Sequence, residues 1–334
     1  MTVRISPSVR SFRKLRQNVD HGGKTFDVMK TTTIRNSLLL LLAACIWGVA
    51  FVAQSAGMEY VGPFTFNAAR FLLGGTVLLP LIAVRSRSTQ KEETALTGGQ
   101  KDRQKKTVLL GGICCGLALC SASSFQQMGI MYTSVGKAGF VTTLYIILVP
   151  VFGLFFHKRV RPVIWCSAVM AVCGLYLLCM NESLSLNRGD MLVFVCAVLF
   201  AIHILVVDYF SPRVDGVVLS CIQFYVSALL SGAAAFLVEK PDLGSLFQAA
   251  VPVLYAGIMS CGVAYTLQIV GQKNLDPTVA SLILSLESVV SVLAGWVLLG
   301  QKLSGRELLG CAVVFAAVIL VQLPEKKALT KRVQ

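Results

Sequence analysis

Long apolar blocks alternate with short polar segments along almost the whole chain. Blocks such as Ser37–Ala56 and Ala249–Val270 hold roughly 18 to 22 residues and almost no charge, the length that a helix needs to cross about 30 Å of hydrocarbon. Because backbone exposed to lipid must satisfy its own hydrogen bonds, each block is predicted to be a membrane-spanning helix. The pattern predicts an all-α integral membrane protein with ten spans, near residues 37–56, 64–84, 107–126, 133–156, 163–180, 189–207, 217–238, 249–270, 276–299 and 305–323.

The composition argues against a soluble enzyme and against a nucleic-acid-binding protein. Hydrophobic residues make up 55% of the chain and charged residues 14%, whereas soluble domains carry about a quarter charged residues. The net charge of +14 does not indicate a nucleic-acid partner, because the basic residues lie between apolar blocks instead of sharing one surface. All eleven cysteines lie inside apolar blocks without a CxxC spacing, and there are three histidines. We therefore expect neither a metal site nor another cofactor.

The distribution of lysine and arginine predicts the orientation, because basic residues are retained on the cytoplasmic side of a membrane. With the N-terminus inside, 24 of the 30 lie in inner segments, four lie in outer links, and Arg70 and Lys137 lie within spans. We expect a multi-pass protein of the plasma membrane with both termini in the cytoplasm. Its expected partners are the lipid bilayer and a small-molecule substrate, and the sequence leaves a homodimer open.

The predicted domain organisation has two repeats between two cytoplasmic segments. Residues 1–36 form a basic N-terminal extension, residues 37–180 and 189–323 form the repeats, and residues 324–334 form a tail. Residues 1–28 are interpreted as an unstructured extension or as the result of a start site placed too early, because Met29 opens a compact basic segment directly before the first span.

The evidence for the repeats is self-similarity at a fixed offset. At an offset of 142 residues, Gln126 aligns with Gln268 and Tyr145 aligns with Glu287. The same offset aligns two stripes of small residues, which would let helices approach closely in lipid. The aligned stripes are Cys114, Ala118 and Ala122 with Ala256, Ser260 and Ala264.

Near the start of each half, an offset of 153 places Trp47 on Phe200 and Arg70 on Gln223. Each repeat holds five spans, and because five is odd the second copy must enter the membrane upside down relative to the first. Inverted repeats of this kind are typical of secondary transporters.

Three segments resemble the EamA-type members of the drug/metabolite transporter superfamily. They read WGVAFVAQSAGMEYVGPFTFNAARFLLGG, GIMYTSVGKAGFVTTLYIILVPVFG and SLESVVSVLAGWVLLGQKLSGRELLGCAVV. The resemblance implies a ten-helix exporter or metabolite carrier whose central cavity is lined by spans one to four and six to nine, with spans five and ten at the periphery. The family commonly has Gly-Glu at the ends of the fourth and ninth spans, where this chain has FHKRV and LGQKL. A role of those glutamates cannot be transferred to His157, Lys158 or Gln301.

Three ionisable residues within predicted spans are candidates for substrate binding or coupling, because each costs about 2.5 to 3.5 kcal/mol to insert. Glu287, near the middle of the ninth span, is interpreted as a proton-coupling carboxylate or counter-ion, or as a protonated acid bonded to a neighbouring helix. Lys137 could attract an anionic substrate or reach the outer interface along its own stem. Arg70 could bind a carboxylate or phosphate bidentately or satisfy backbone carbonyls between helices.

Further candidates are polar-tipped residues within spans, for which helix packing is the alternative role. They are Trp47, Tyr145, Tyr265, His203, Gln126 and Gln268. Tyr145 is singled out as the repeat partner of Glu287, since pseudo-symmetric positions tend to face the same cavity. Pro150 and Pro252 remove backbone hydrogen bonds within spans and are interpreted as hinges or as quiet bends.

The sequence favours a secondary carrier over two other classes of membrane protein. No GxxxxGK[ST] loop is present, so ATP chemistry has no support. An intramembrane enzyme is disfavoured because neither GxSG nor GxGD occurs. A passive channel or structural protein is disfavoured because two inverted halves are the simplest way to build two interchanging conformations. Arg70 and Lys137 suggest a carboxylate on the substrate and Glu287 an amine, so an amino-acid-like exported metabolite is expected, with proton coupling or exchange.

Overall fold

In a computed structural model, the protein is a bundle of apolar helices. The structure describes residues 7–93, 98–133, 135–155, 160–179, 187–273, 275–299 and 304–322, and this part of the chain contains helices and no strands. The positions that depart from the Gly-Glu pattern, His157, Lys158 and Gln301, lie outside the described residues.

The helices follow the predicted order of spans. In the first repeat, spans 1 to 3 lie in the helices Pro7–Gly57, Pro63–Glu93 and Gly98–Ile130, span 4 consists of Val135–Thr142 and Tyr145–Phe155, and span 5 is Pro162–Cys179. In the second repeat, spans 6 and 7 are Arg188–Phe210 and Gly216–Val238, and span 8 consists of Ala250–Leu254, the π-helix Tyr255–Tyr265 and Thr266–Gln272. Span 9 consists of Pro277–Leu284 and Leu286–Leu299, and span 10 is Gly305–Gln322. A short helix, Leu243–Gln248, joins spans 7 and 8.

The membrane-spanning helical class is confirmed, with one qualification on the count. Within the described ranges, nine helices are long and apolar enough to cross a membrane, and the apolar stretch Pro162–Leu177 of span 5 is shorter. The predicted number of ten spans is reached when this shorter helix is included.

The N-terminal segment differs from the expected unstructured extension. The first helix starts at Pro7 and runs without interruption to Gly57, and its membrane-spanning part begins at Thr32. No proline follows Pro7 before Gly57, so nothing in this segment removes a helical hydrogen bond.

Local sequence signals fix several helix starts. Asn187 and Asp190 form a capping box in which each side chain accepts a hydrogen bond from the other residue's backbone N–H. Asp276 accepts from the Thr278 N–H, directly before Pro277 in the first turn of span 9. These side chains satisfy backbone donors that have no partner inside the helix.

The helices of one repeat pack mainly against helices of the other. Span 1 contacts spans 8 and 9, span 2 contacts spans 7 and 8, span 3 contacts spans 6 and 7, and span 5 contacts span 10. Glycine permits the last of these contacts, since a Cβ on Gly174 would lie 2.9 Å from the backbone nitrogen of Val314. Small residues at such interfaces let helices approach closely in lipid.

Spans 4 and 9 are interrupted at equivalent positions. Span 4 breaks between Thr142 and Tyr145, and span 9 breaks between Leu284 and Leu286, so the offset of 142 pairs Thr143 with Ser285. The hydroxyl of Thr143 donates to the carbonyl of Gly139 at 2.9 Å, and that of Ser285 donates to the carbonyl of Leu282 at 2.7 Å. Such bonds to the preceding turn compete with the helical pattern and bend helices.

The two candidate hinge prolines lie beside these irregularities and not at them. Pro150 lies inside the continuous helix Tyr145–Phe155, so the break in span 4 lies at Thr143 and not at this proline. Pro252 lies in the helix Ala250–Leu254, directly before the π-helix of span 8.

Candidate functional site

A small central cavity lies where the two repeats meet. Its lining comes from spans 1 to 4, 6, 8 and 9, and consists of Trp47, Phe51, Gln54, Arg70, Gln126, Thr142, Tyr145, Phe200, Ile204, Ser260, Tyr265, Gln268, Leu284 and Glu287.

The lining differs from the expected arrangement at span 7. The resemblance implies a peripheral position for spans 5 and 10, and neither contributes to the lining. It also implies a contribution from span 7, yet the described lining contains no residue of that helix. Span 7 packs closely against span 3 instead, since a Cβ on Gly116 of span 3 would lie 2.7 Å from Val226 Cβ of span 7.

The cavity is built from pairs of positions that the repeat makes equivalent. Tyr145 and Glu287 form one pair and Gln126 and Gln268 another, at the offset of 142. Both members also line the cavity in three further pairs, which are Thr142 with Leu284, Trp47 with Phe200 and Phe51 with Ile204. Arg70 is an exception, because its equivalent Gln223 is not part of the lining. The pseudo-symmetry axis of the two repeats therefore passes through the cavity.

Arg70 is a buried cation with a neutral partner. It is 1% exposed, and its Nη1 donates to Gln54 Oε1 at 2.9 Å. Its guanidinium carbon lies 4.8 Å from the centroid of the Phe71 ring and 5.7 Å from that of Phe66. The Nε and Nη2 atoms have no hydrogen-bond partner, and no carboxylate in the described ranges pairs with Arg70, since the ion pair recorded there joins Arg85 to Asp215.

Glu287 is tied to the opposite repeat by its own sequence equivalent. The Tyr145 hydroxyl donates to Glu287 Oε1 at 3.0 Å, and the Glu287 side chain is buried. Next to it, Ser288 Oγ donates to the carbonyl of Gly139 at 3.2 Å. Span 1 presses against the same turn, because a Cβ on Gly48 would lie 2.7 Å from the Glu287 carbonyl oxygen.

An aromatic wall forms another side of the cavity. The Trp47 indole Nε1 donates to the carbonyl of Ser260 at 3.3 Å, within the π-helix of span 8. The Trp47 and Tyr265 rings meet edge to face with centroids 4.6 Å apart, a favoured arrangement of aromatic pairs. Phe224 supports Tyr265 from behind at 5.9 Å, so the wall is held on both sides.

The other predicted candidates are placed differently. Gln126 Nε2 donates to Thr142 Oγ1 at 3.4 Å, while Gln268 Oε1 is buried without a partner. His203 is not part of the lining and lies behind it, with Nε2 at 3.2 Å from Gln223 Oε1. Lys137 belongs to the helix Val135–Thr142, but its side chain lies outside the described part of the structure.

Sequence reasoning missed Gln54, the partner of Arg70. Gln54 lies seven residues after Trp47 in the first span, about two helical turns along the same face. A polar residue on the same face of span 1 as Trp47 could therefore have been predicted to line the cavity. Phe51 and Ile204 could have been found through the offset of 153, since each is equivalent to the other and both line the cavity.

Comparison with known proteins places the chain in a family of transporters. The family model described as the EamA-like transporter family matches twice, over residues 35–180 and 187–323. An Archaeoglobus fulgidus protein named "Uncharacterized transporter" is 27% identical over 85% of this chain and 84% of its own length. The "Uncharacterized inner membrane transporter YedA" of Escherichia coli K12 is 24% identical over 83% and 87% of the two chains.

A solved structure shares the fold of this chain. One solved crystal structure superposes with a TM-score of 0.69 at 22% identity, covering 86% of this chain and 96% of the other. The two family matches coincide with the two halves that pack around the cavity, and the chain therefore belongs to the EamA-like transporter family of membrane transporters.

Proposed function

We propose that the protein is a secondary transporter that exports a small metabolite, such as an amino acid or a related compound, by alternating access. The observation that carries this proposal is the hydrogen bond between Tyr145 and Glu287, because it joins equivalent positions of two repeats across a central cavity. A site on the axis between two similar halves can open to either side when the halves exchange conformations.

The irregular helices support this exchange of conformations. The breaks at Thr143 and Ser285 lie within two residues of Tyr145 and Glu287. A movement of either half of span 4 or span 9 would thus change the surroundings of the cavity directly. Interrupted helices that line a cavity are a recurring feature of transporters.

Glu287 is the proposed coupling residue. A buried carboxylate in hydrocarbon is costly unless a proton or cation accompanies it, and the contact found for it, the Tyr145 hydroxyl, is neutral. A proton and the ammonium group of an amino acid would both satisfy this requirement. If they alternate at Glu287, protons entering along their gradient drive the substrate outward.

The proposed location is the plasma membrane, with both termini in the cytoplasm. The asymmetry of lysine and arginine supports the orientation. The printed name of the Escherichia coli relative, an inner membrane transporter, supports the membrane.

Uptake and efflux in proteoliposomes with and without a pH gradient test the coupling. Purified protein is reconstituted with a mixed pool of amino acids and metabolites, and wild type is compared with Glu287→Gln. Glu59→Gln, an exposed glutamate in the link after span 1, is the matched control. We expect saturable transport that depends on the pH gradient in wild type and control and loses that dependence in Glu287→Gln. Transport that keeps its pH dependence in Glu287→Gln would refute the role of this carboxylate.

A further inference from the structure

We propose that the Nε–Nη2 edge of Arg70 is the carboxylate-binding subsite of the cavity, held in place by Gln54, and that the substrate is an organic carboxylate with an apolar body. This inference rests on the proposed transport function and names the substrate class for the same cavity.

The geometry of the guanidinium group carries the first step. Gln54 Oε1 accepts from Nη1, which leaves the edge formed by Nε and Nη2. The N–H bonds of that edge are parallel and match the two oxygens of a carboxylate. Both atoms are buried and have no partner in the protein, although buried donors are nearly always satisfied. The phenyl rings of Phe66 and Phe71 lie against the group, so the ligand meets the edge and not the face.

Gln54 is itself held, which makes it a positioning residue. The side-chain Nε2 of Gln54 donates to the backbone carbonyl of Ala50 at 3.3 Å, which fixes the side chain, and the backbone carbonyl of Gln54 accepts from Gln127 Nε2 at 3.2 Å. Because the Gln54 side chain is fixed, it orients the Arg70 guanidinium without neutralising its charge.

The charge balance favours a monocarboxylate over a phosphate. Among the described lining residues, Arg70 is the cation and Glu287 is the acid, and in the proposed cycle a proton or the ammonium group of the substrate balances Glu287. One carboxylate would neutralise Arg70. A phosphate dianion would leave an excess negative charge within the membrane, where such charge is costly.

The remaining walls define the body of the substrate. They are mostly apolar, formed by Trp47, Phe51, Phe200, Ile204, Tyr265 and Leu284. Aromatic rings bury large apolar groups and favour planar ones. A substrate that places its carboxylate on Arg70 would bury an apolar side chain against these rings.

Trp47 provides a direct optical test of this subsite. Trp165→Phe and Trp296→Phe leave Trp47 as the single tryptophan, and neither removed residue lines the cavity. Fluorescence quenching is titrated with 3-phenylpropanoate and phenylalanine and with their amides, 3-phenylpropanamide and phenylalaninamide. We expect each acid to bind about 10- to 100-fold more tightly than its amide, since a hydrogen-bonded ion pair is lost in the amide.

Variants in this background test the roles of the two side chains. Arg70→Lys keeps the charge but lacks the paired N–H edge, and we expect the acid-to-amide affinity ratio to fall about tenfold. Gln54→Leu should lower the same ratio, since the guanidinium group loses its anchor. Gln322→Leu, in span 10 and away from the lining, should leave the ratio at the wild-type value.

Several results would overturn the subsite. Equal affinities for acid and amide in the protein with Trp47 as its single tryptophan would contradict the subsite. An unchanged acid-to-amide affinity ratio in an Arg70→Lys protein that still binds the probes would contradict it as well. Absence of quenching by every acid, or tighter binding of phenyl phosphate than of 3-phenylpropanoate, would contradict the substrate class. Saturable counterflow of the amino-acid pool without acid-to-amide discrimination would remove the subsite and leave the transporter standing. Tighter binding of the acids than of the amides, in a protein that transports nothing from the pool, would support the subsite and contradict the proposed transport function.

Discussion

Arg70 and Glu287 line the same cavity, and each forms a hydrogen bond with a neutral side chain of another span. Gln54 holds Arg70 and Tyr145 holds Glu287. With neutral partners, both charged groups stay available to a substrate or a proton, whereas a direct ion pair would satisfy them internally.

At the residue scale, removing the hydroxyl of Tyr145 should weaken transport without unfolding the protein. Tyr145→Phe keeps the ring and loses the donor to Glu287, a loss of about 0.5 to 1.5 kcal/mol for one hydrogen bond. We expect initial transport rates to fall about two- to tenfold at unchanged expression, measured in proteoliposomes. Tyr60→Phe, at an exposed link position, is the control. Equal rates in Tyr145→Phe and wild type would show that the bond has no functional role.

At the element scale, the contact between spans 1 and 9 depends on the absence of a side chain at position 48. A Cβ there would lie 2.6 Å from Val290 Cβ and 2.7 Å from the Glu287 carbonyl oxygen. We expect Gly48→Ala to cost about 1 to 3 kcal/mol of stability through overpacking and to reduce transport by shifting Glu287. Gly305→Ala, which meets nothing within 4 Å, should melt like wild type in detergent. Matching melting temperatures for both variants would contradict the close approach.

Pro150 lies in one of the two interrupted helices, span 4. It lies inside the second half of span 4 and leaves the carbonyl one turn earlier without its helical donor. We expect Pro150→Ala to lower the transport rate more than the expression level, because the added hydrogen bond would stiffen a helix that changes shape in the proposed alternating access. Pro80→Ala, inside span 2 and outside the lining, is the matched control. Equal losses of transport and expression in Pro150→Ala would indicate a role in folding alone.

The interruptions themselves were not predictable from the pattern of apolar residues. Neither Thr143 nor Ser285 is next to a proline or glycine in the sequence, and a serine or threonine inside a span most often leaves the helix intact. Whether its hydroxyl competes with the backbone depends on the packing around it. The prolines gave a clearer signal in the sequence, but the breaks lie elsewhere.

At the scale of the whole molecule, the internal repeat was the most useful signal in the sequence. Aligning the halves pairs Tyr145 with Glu287 and Gln126 with Gln268, and the structure brings both pairs to the cavity. This works because equivalent positions of inverted copies lie at equal distances from the axis between the repeats, so a position close to the axis has its partner close by.

The limits of prediction appear where contacts depend on how individual helices cross. The bond from Arg70 to Gln54 joins residues 16 positions apart on two spans, and the repeat contains no second copy of it. His203 shows the converse, because its polar tip suggested a cavity position while its partner Gln223 holds it behind the wall. The absence of span 7 from the described lining likewise follows from helix packing that no periodicity reveals.

The most direct test of alternating access is counterflow by the wild-type protein. Proteoliposomes are loaded with an excess of an unlabelled substrate found in the mixed pool, and a trace of labelled substrate is added outside. A carrier with one site between two exchanging repeats should accumulate the label transiently above equilibrium, because unlabelled substrate occupies the returning sites. Label that only rises to equilibrium, independently of the internal load, would show a passive pore and contradict the account.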